Sequence, residues 1–151
     1  YKGYVFLPAK EESFPRPAVG HITECAPLDS KNEYWLRRII TLCREEGVPL
    51  WLVKTPSNLE AAEKALVNTV ERIAAEYGVP FADFNESYEE IGLAPELFFD
   101  AHHMDARGAA QFTSWFAQRL TAQYPGLSIG MGSDGWAGEA AAYAEALQAL
   151  D

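Results

Sequence analysis

Two of the three histidines and two aspartates lie within residues 100–105, and no other stretch groups proton-transfer side chains so closely. Asp100 precedes His103 by three residues, a spacing that lets a carboxylate reach back to one imidazole nitrogen on a turn. The other ring nitrogen would then be available as a general base. We therefore predict that Asp100 and His103 are catalytic, with Asp100 orienting the ring and His103 moving the proton.

The neighbouring polar residues receive different predictions. His102 is expected to line the cleft and contact substrate, and Asp105 is expected to cap the following helix. The alternative is that Asp100, His102, His103 and Asp105 together bind a divalent metal. Adjacent histidines point in different directions on most backbones, and no further ligand follows at a diagnostic spacing. We therefore predict neither a metal nor an organic cofactor.

The elements that must position these residues alternate between helical and strand patterns. Two short apolar runs each follow a helical pattern and a Gly-x-Pro joint, which is typical of an α/β fold with a parallel sheet. The expected elements are a helix from Ser30 to Gly47, a strand over 49–54, a helix over 59–77, a strand over 80–84 and a helix from Ala106 to about Gln123.

Helix starts and core positions follow from local patterns. Ser30-x-x-Glu33 and Ser57-x-x-Glu60 both match the capping box, in which two side chains satisfy free backbone N–H groups. Aromatic residues at helix or strand core spacing are assigned to the core, namely Trp35, Trp51, Trp115 and Phe116.

A turn follows the first predicted strand, at the sheet edge where α/β proteins bind ligands. Thr55, Ser57 and Asn58 lie in this turn, and we predict that they contact substrate. Ser57 could also serve as a nucleophile, but its match to a capping box with Glu60 explains it better.

The stretch 99–109 resembles the last conserved block of the SGNH (GDSL-type) hydrolases, which reads Asp-x-x-His, an apolar residue, a polar residue and then Gly-Ala at a helix start. Residues 48–58 and 77–85 extend the resemblance, which covers roughly 30–123. These stretches look like the C-terminal half of bacterial members of the family, including those related to cell-envelope O-acyl esterases and acyltransferases. The resemblance implies a three-layer α/β/α flavodoxin-like fold. It also implies that Asp100 and His103 belong to a Ser-His-Asp triad.

The sequence departs from that family at its other motifs. It contains no Gly-Asp-Ser block, which carries the family's nucleophile, and no Gly-x-Asn-Asp block. We therefore expect residues 30–125 to be the C-terminal portion of such a domain, preceded by an irregular segment over 1–29 and followed by a linker and helix over 126–151. The isolated chain is expected to be inactive, and its partners would include the missing N-terminal half or a second copy.

Composition narrows the partners further. The net charge of -10 argues against nucleic acid, whose phosphates would be repelled. Cys25 and Cys43 form neither a disulfide framework nor a zinc motif. No apolar run reaches the roughly 18 residues that span a bilayer. The resemblance suggests an extracytoplasmic or cell-envelope location.

The function we predict is a serine esterase or O-acyl transferase that acts on an ester-bearing small molecule or O-acylated carbohydrate. The alternative from another class is a non-catalytic α/β module that binds a glycan or a protein. A metal-dependent hydrolase is the third and least favoured interpretation.

Overall fold

The computed structural model describes residues 5–10, 13, 14, 16, 18–126 and 134–149, except for the side chains of 134–137 and 139. The chain divides into two units. One comprises Arg16–Ser87 and is called the sheet unit below. The other comprises Tyr1–Pro15 and Tyr88–Asp151 and is called the helical unit.

The sheet unit holds two parallel strands, β1 (Leu52–Lys54) and β2 (Phe81–Asp83), in which Lys54 lies opposite Asp83. Helix α1 (Ser30–Glu45) precedes β1, and helix α2 (Ala61–Glu76) connects the two strands. The predicted α/β class with a parallel sheet is therefore confirmed, although each strand is only three residues long.

Glycine ends both helices of the sheet unit, as the sequence predicts. Gly47 and Gly78 have φ angles of 65° and 67°, in the left-handed region that glycine adopts without the steric cost of a Cβ. Each glycine turns the chain from its helix toward the strand that follows.

Both predicted capping boxes are wrong. Asp29 caps α1, because its carboxylate accepts the backbone N–H groups of Lys31 and Asn32 at 3.0 and 3.3 Å. At α2 the N-cap is Glu60, whose backbone N–H donates to the Glu63 carboxylate at 2.8 Å. The chain after Ser57 thus stays outside the helix for three more residues.

The core of the sheet unit is small. Its buried apolar residues are Ile40, Leu59, Ile73, Ala74 and Phe84. Trp35 is 52% exposed, so its assignment to the core is wrong. Helix α1 instead turns Ile40 inward, and the partly exposed Arg37 donates to Glu76 at the end of α2 at 2.7 Å. This rotation leaves Trp35, Ile39 and Leu42 on the exposed side.

The helical unit contains α3 (Tyr88–Ile91), a 3₁₀ turn over Pro95–Leu97, α4 (Ala106–Gln123) and α5 (Asp134–Gln148). Helix α4 has the predicted bounds. Phe112 is buried on its inner face and packs against the half-buried rings of Phe116 and Trp115, with centroid distances of 5.7 and 6.2 Å.

Helix α5 contacts the start of α4 through one tyrosine. The Tyr143 hydroxyl donates to the Ala106 carbonyl oxygen at 3.3 Å, and the Tyr143 ring meets Phe6 edge-on at 6.1 Å. The predicted linker falls largely on residues outside those described, as does the side chain of Trp136. Within the described ranges, none of the helices has the length and apolar character that a membrane span requires.

Candidate active site

The Asp100–His103 pair lies on a loop of the helical unit that closes on itself. The Phe99 N–H donates to the His103 carbonyl oxygen at 2.8 Å, and the Asp105 N–H donates to the Leu97 carbonyl oxygen at 2.9 Å. An antiparallel bridge joins Phe98 to Met104 between these two bonds. Backbone hydrogen bonds at both ends therefore fix the loop without a strand of its own.

Two fully buried side chains hold this loop in place. Phe98 stacks on Tyr88 of α3 with a centroid distance of 5.8 Å. Asp105 caps α4, as predicted, by accepting the Gly108 N–H at 2.9 Å. Arg107 neutralises Asp105 with two hydrogen bonds of 3.0 and 2.7 Å and also donates to the Glu96 carbonyl oxygen.

Gly108 allows α4 to approach the loop closely. A Cβ at this position would overlap the Leu97 carbonyl oxygen, which is the atom that accepts the Asp105 N–H. The Gly-Ala step in the sequence therefore has a steric role here, because the first turn of α4 contacts the backbone that closes the site loop.

Asp100 and His103 make the contact that their spacing predicts. The His103 Nδ1 atom lies 2.9 and 3.0 Å from the two oxygens of the Asp100 carboxylate. Because an ionised carboxylate only accepts hydrogen bonds, Nδ1 carries the proton in the neutral ring. Nε2 is then the nitrogen with a lone pair, and 64% of the His103 side chain is exposed to solvent.

The Asp100 carboxylate also organises the turn. Its Oδ1 accepts the backbone N–H groups of His102 and His103, each at 2.8 Å. Desolvation raises the pKa of the Asp100 carboxyl, but these backbone bonds and the hydrogen bond from the His103 ring outweigh it and hold that pKa below its ordinary value. The Asp100 carboxyl is therefore ionised at neutral pH and remains a hydrogen-bond acceptor for the His103 ring.

Asp105 does not join these residues as a metal ligand. Its Oδ1 is used by the Gly108 N–H and its Oδ2 by Arg107. Over the described part of the chain, no group of three or more His, Cys, Asp or Glu side chains has an arrangement that could hold a metal ion. His102 is exposed beside the pair.

The three other predicted site residues belong to the sheet unit. Thr55 is exposed and Asn58 is partly buried, whereas Ser57 is 5% exposed. The Ser57 N–H donates to the Asn85 side-chain oxygen at 2.8 Å, and the Ser57 hydroxyl accepts a hydrogen bond from Lys54 Nζ at 2.7 Å. Their role in binding substrate stays a prediction.

Asn85 contacts this turn, although no local sequence pattern links the two. Its side-chain nitrogen donates to Asp83 at 2.6 Å, which orients the amide toward the Ser57 N–H. The predicted parallel pairing of the two strands is the feature of the sequence that could have indicated this contact. Two chain segments that leave adjacent parallel strands meet at the same sheet edge, even when 28 residues separate them.

Comparisons with known proteins found no similarity: the chain matches no family model, no curated protein and no solved structure at a significant level.

Proposed function

We propose that this chain carries the acid and base of a serine esterase or O-acyl transferase of the SGNH type, with a three-layer flavodoxin-like fold in the complete domain. One observation carries the proposal: both Asp100 oxygens lie within hydrogen-bond distance of His103 Nδ1, and the ring is exposed. This arrangement selects the tautomer whose Nε2 accepts a proton, as the base of a Ser-His-Asp triad requires.

The proposed reaction is acyl transfer through a serine. His103 Nε2 takes the proton of the serine hydroxyl as its oxygen bonds to the ester carbonyl carbon. The imidazolium then protonates the leaving alkoxide as the ester C–O bond breaks, and Asp100 stabilises the positive ring. Water or an alcohol resolves the acyl-enzyme by the reverse sequence. The substrate is an ester, with O-acylated carbohydrate as the proposed class.

The experiment is turnover of p-nitrophenyl acetate by the full-length protein that the gene encodes. We expect His103→Ala and Asp100→Ala to lower kcat by about 10²–10⁴-fold, which is the usual contribution of a positioned base. The matched control is His21→Ala, because His21 is exposed in a turn of the sheet unit and should leave turnover unchanged. Unchanged turnover in His103→Ala would reject the proposal.

The tautomer provides a second readout that is independent of turnover. In nitrogen NMR spectra of the wild-type imidazoles, His103 should carry its proton on Nδ1 when neutral. Asp100→Ala should shift that population toward Nε2–H, because the acceptor at Nδ1 is gone. A spectrum that shows the same tautomer in both proteins would remove the orienting role of Asp100.

A further inference from the structure

A second group of polar side chains lies at the carboxyl end of β1, within the sheet unit. Lys54 is the last residue of the strand, and its Nζ donates to the Ser57 hydroxyl and to the Thr55 carbonyl oxygen, each at 2.7 Å. The carboxyl ends of parallel strands are where α/β proteins bind ligands. A serine hydroxyl in hydrogen-bond contact with a lysine amine is also a known form of nucleophile–base pair.

The structure removes the competing explanation for Ser57. A helix cap would account for this serine, but Glu60 and Glu63 perform that task at α2. Ser57 is held instead by Asn85, which accepts its backbone N–H at 2.8 Å. The residue is 95% buried by the surrounding chain, so its hydroxyl is fixed and largely removed from bulk water.

The next residue supplies an independent sign of a ligand. The side-chain oxygen of Asn58 is buried and has no hydrogen-bond partner within the described residues. Buried polar atoms in folded proteins almost always have a partner, and an orphaned one needs an explanation. A substrate N–H or O–H group that binds at this turn would satisfy the Asn58 amide oxygen.

We propose that Ser57 is a nucleophile for acyl or phosphoryl electrophiles and that Lys54 is its general base. The neutral Lys54 amine takes the Ser57 proton while Oγ bonds to the carbonyl carbon of an ester. The resulting ammonium then protonates the alkoxide as the ester C–O bond breaks, which leaves an acyl–Ser57. This reaction goes beyond the proposed function, because it uses neither Asp100 nor His103.

The charges around Lys54 allow its amine to be neutral. Burial lowers the pKa of Lys54, whereas the negative charges of Asp83 and Glu63 raise it. The effect of burial is the larger, so the pKa lies below its ordinary value. Lys64 pairs with Asp83 at 2.7 Å and so offsets part of the field that would favour the ammonium. The fraction of neutral amine at a given pH therefore exceeds that of an exposed lysine.

The experiment is covalent labelling of the purified chain with diisopropyl fluorophosphate, followed by intact mass and peptide mapping. Attack by Ser57 forms the Oγ–P bond, releases fluoride and passes the proton to Lys54. We expect one adduct per chain, located on Ser57, and a labelling rate that rises with pH through the lowered pKa of Lys54. An adduct on another residue, or none after prolonged incubation at alkaline pH, overturns the proposal.

Variants distinguish the role of Lys54 as base from the role of Ser57 as nucleophile. Lys54→Arg keeps the positive charge and the donors but cannot lose a proton near neutral pH, so labelling should slow by about 10²–10⁴-fold. Labelling of Lys54→Arg at the wild-type rate would contradict the base assignment. Ser114→Ala, on the exposed side of α4, is the matched control and should label like wild type. Peptide mapping of the wild-type chain decides the proposal even where Ser57→Ala fails to fold.

The labelling experiment at Ser57 and the turnover experiment at His103 can fail independently of each other. Labelling at Ser57 concerns Lys54 and Ser57 in the sheet unit, whereas ester turnover by the triad concerns Asp100 and His103 in the helical unit. Absence of a Ser57 adduct leaves the Asp100–His103 proposal in place, and normal turnover by His103→Ala leaves the Ser57 proposal in place.

Discussion

At the scale of single residues, Asp100 shows how one carboxylate can set both a turn and a tautomer. Its Oδ1 accepts hydrogen bonds from two backbone N–H groups, and both of its oxygens lie within hydrogen-bond distance of His103 Nδ1. Two of these donors are backbone groups, so they fix the carboxylate whatever the protonation state of the ring. The contacts that orient the pair thus lie within residues 100–103, which is why the Asp-x-x-His spacing predicts them.

Burial differs sharply between neighbouring residues of α1, and this yields a prediction. Ile40 is 1% exposed and Ile39 is 50% exposed. We expect Ile40→Ala to lower the free energy of unfolding by roughly 2–5 kcal/mol, because it opens a cavity in a small core. Ile39→Ala should change it by only about 0.5 kcal/mol, as is usual at exposed sites. Urea unfolding followed by circular dichroism measures both values.

Ile39→Ala is also the control for helix propensity, since both variants place the same residue in the same helix. If the two substitutions cost equal free energy, a partner or another part of the protein covers the exposed side of α1 in solution. The sequence alone does not separate these neighbours, because both isoleucines are compatible with an apolar helical face. In the structure, Ile40 is the isoleucine that packs into the core.

At the scale of elements, the Gly108 position couples α4 to the site loop. We expect Gly108→Ala to destabilise the protein by about 1–3 kcal/mol, because the added Cβ displaces the Leu97 carbonyl oxygen. Leu97 closes the loop through its bond to Asp105, so the Asp100–His103 contact should loosen as well. Thermal unfolding and the His103 tautomer measured by NMR report the two effects.

The matched control for this substitution is Gly138→Ala. Gly138 lies within α5, and a Cβ there would meet no atom within 4 Å. Replacing an exposed helical glycine by alanine usually stabilises a protein by roughly 0.5–1 kcal/mol. A Gly108→Ala variant that is as stable as wild type would show that the first turn of α4 does not press on the loop.

The same elements show what sequence patterns can and cannot specify. The bounds of α4, its Asp105 cap and the glycine stops of α1 and α2 are all local, and the sequence predicted them. The predicted caps of α1 and α2 are wrong for two different reasons: Asp29 caps α1 in place of the adjacent Ser30, and α2 begins three residues later than the Ser57 pattern predicts, with Glu60 as its cap. Which residue becomes the N-cap depends on the path of the chain before the helix, and tertiary contacts determine that path.

The long-range contacts at the candidate sites also lie beyond local patterns. Asp100 and His103 are three residues apart and their contact was predicted. The bond from Ser57 to Asn85 joins segments 28 residues apart and depends on the register of β1 and β2. The capping-box pattern at Ser57 predicts a local role for its hydroxyl, whereas in the structure the hydroxyl accepts a hydrogen bond from Lys54.

At the scale of the whole molecule, the protein is strongly acidic, with a net charge of -10 and a sequence pI of about 4.7. Its stability in acid depends on carboxylates that are paired in the fold. A largely buried ion pair joins Lys64 of α2 to Asp83 of β2 at 2.7 Å, with 7% and 10% of the side chains exposed. This pair links the connecting helix to the sheet.

The pKa of Asp83 determines the direction of the pH dependence. Burial raises that pKa, but hydrogen bonds from Lys64 and Asn85 outweigh it and hold it below the ordinary value. A carboxyl whose folded pKa is depressed contributes stability that is fully present above the unfolded value of about 3.9. That stability is lost as the pH falls through the lower, folded value.

Asp83→Asn tests this assignment. At neutral pH the variant leaves the buried Lys64 ammonium with only the more distant, exposed Glu86 carboxylate at 3.9 Å, so we expect it to lower the free energy of unfolding by about 3–5 kcal/mol. The gap between wild type and variant should narrow as the pH falls below about 3.9, because wild-type Asp83 then becomes protonated too. Glu45→Gln is the control, since the ion pair that Glu45 forms with Arg38 at 3.5 Å is exposed. A gap that stays constant from neutral to strongly acidic pH would show that the Asp83 carboxylate does not set the acid stability of the sheet unit.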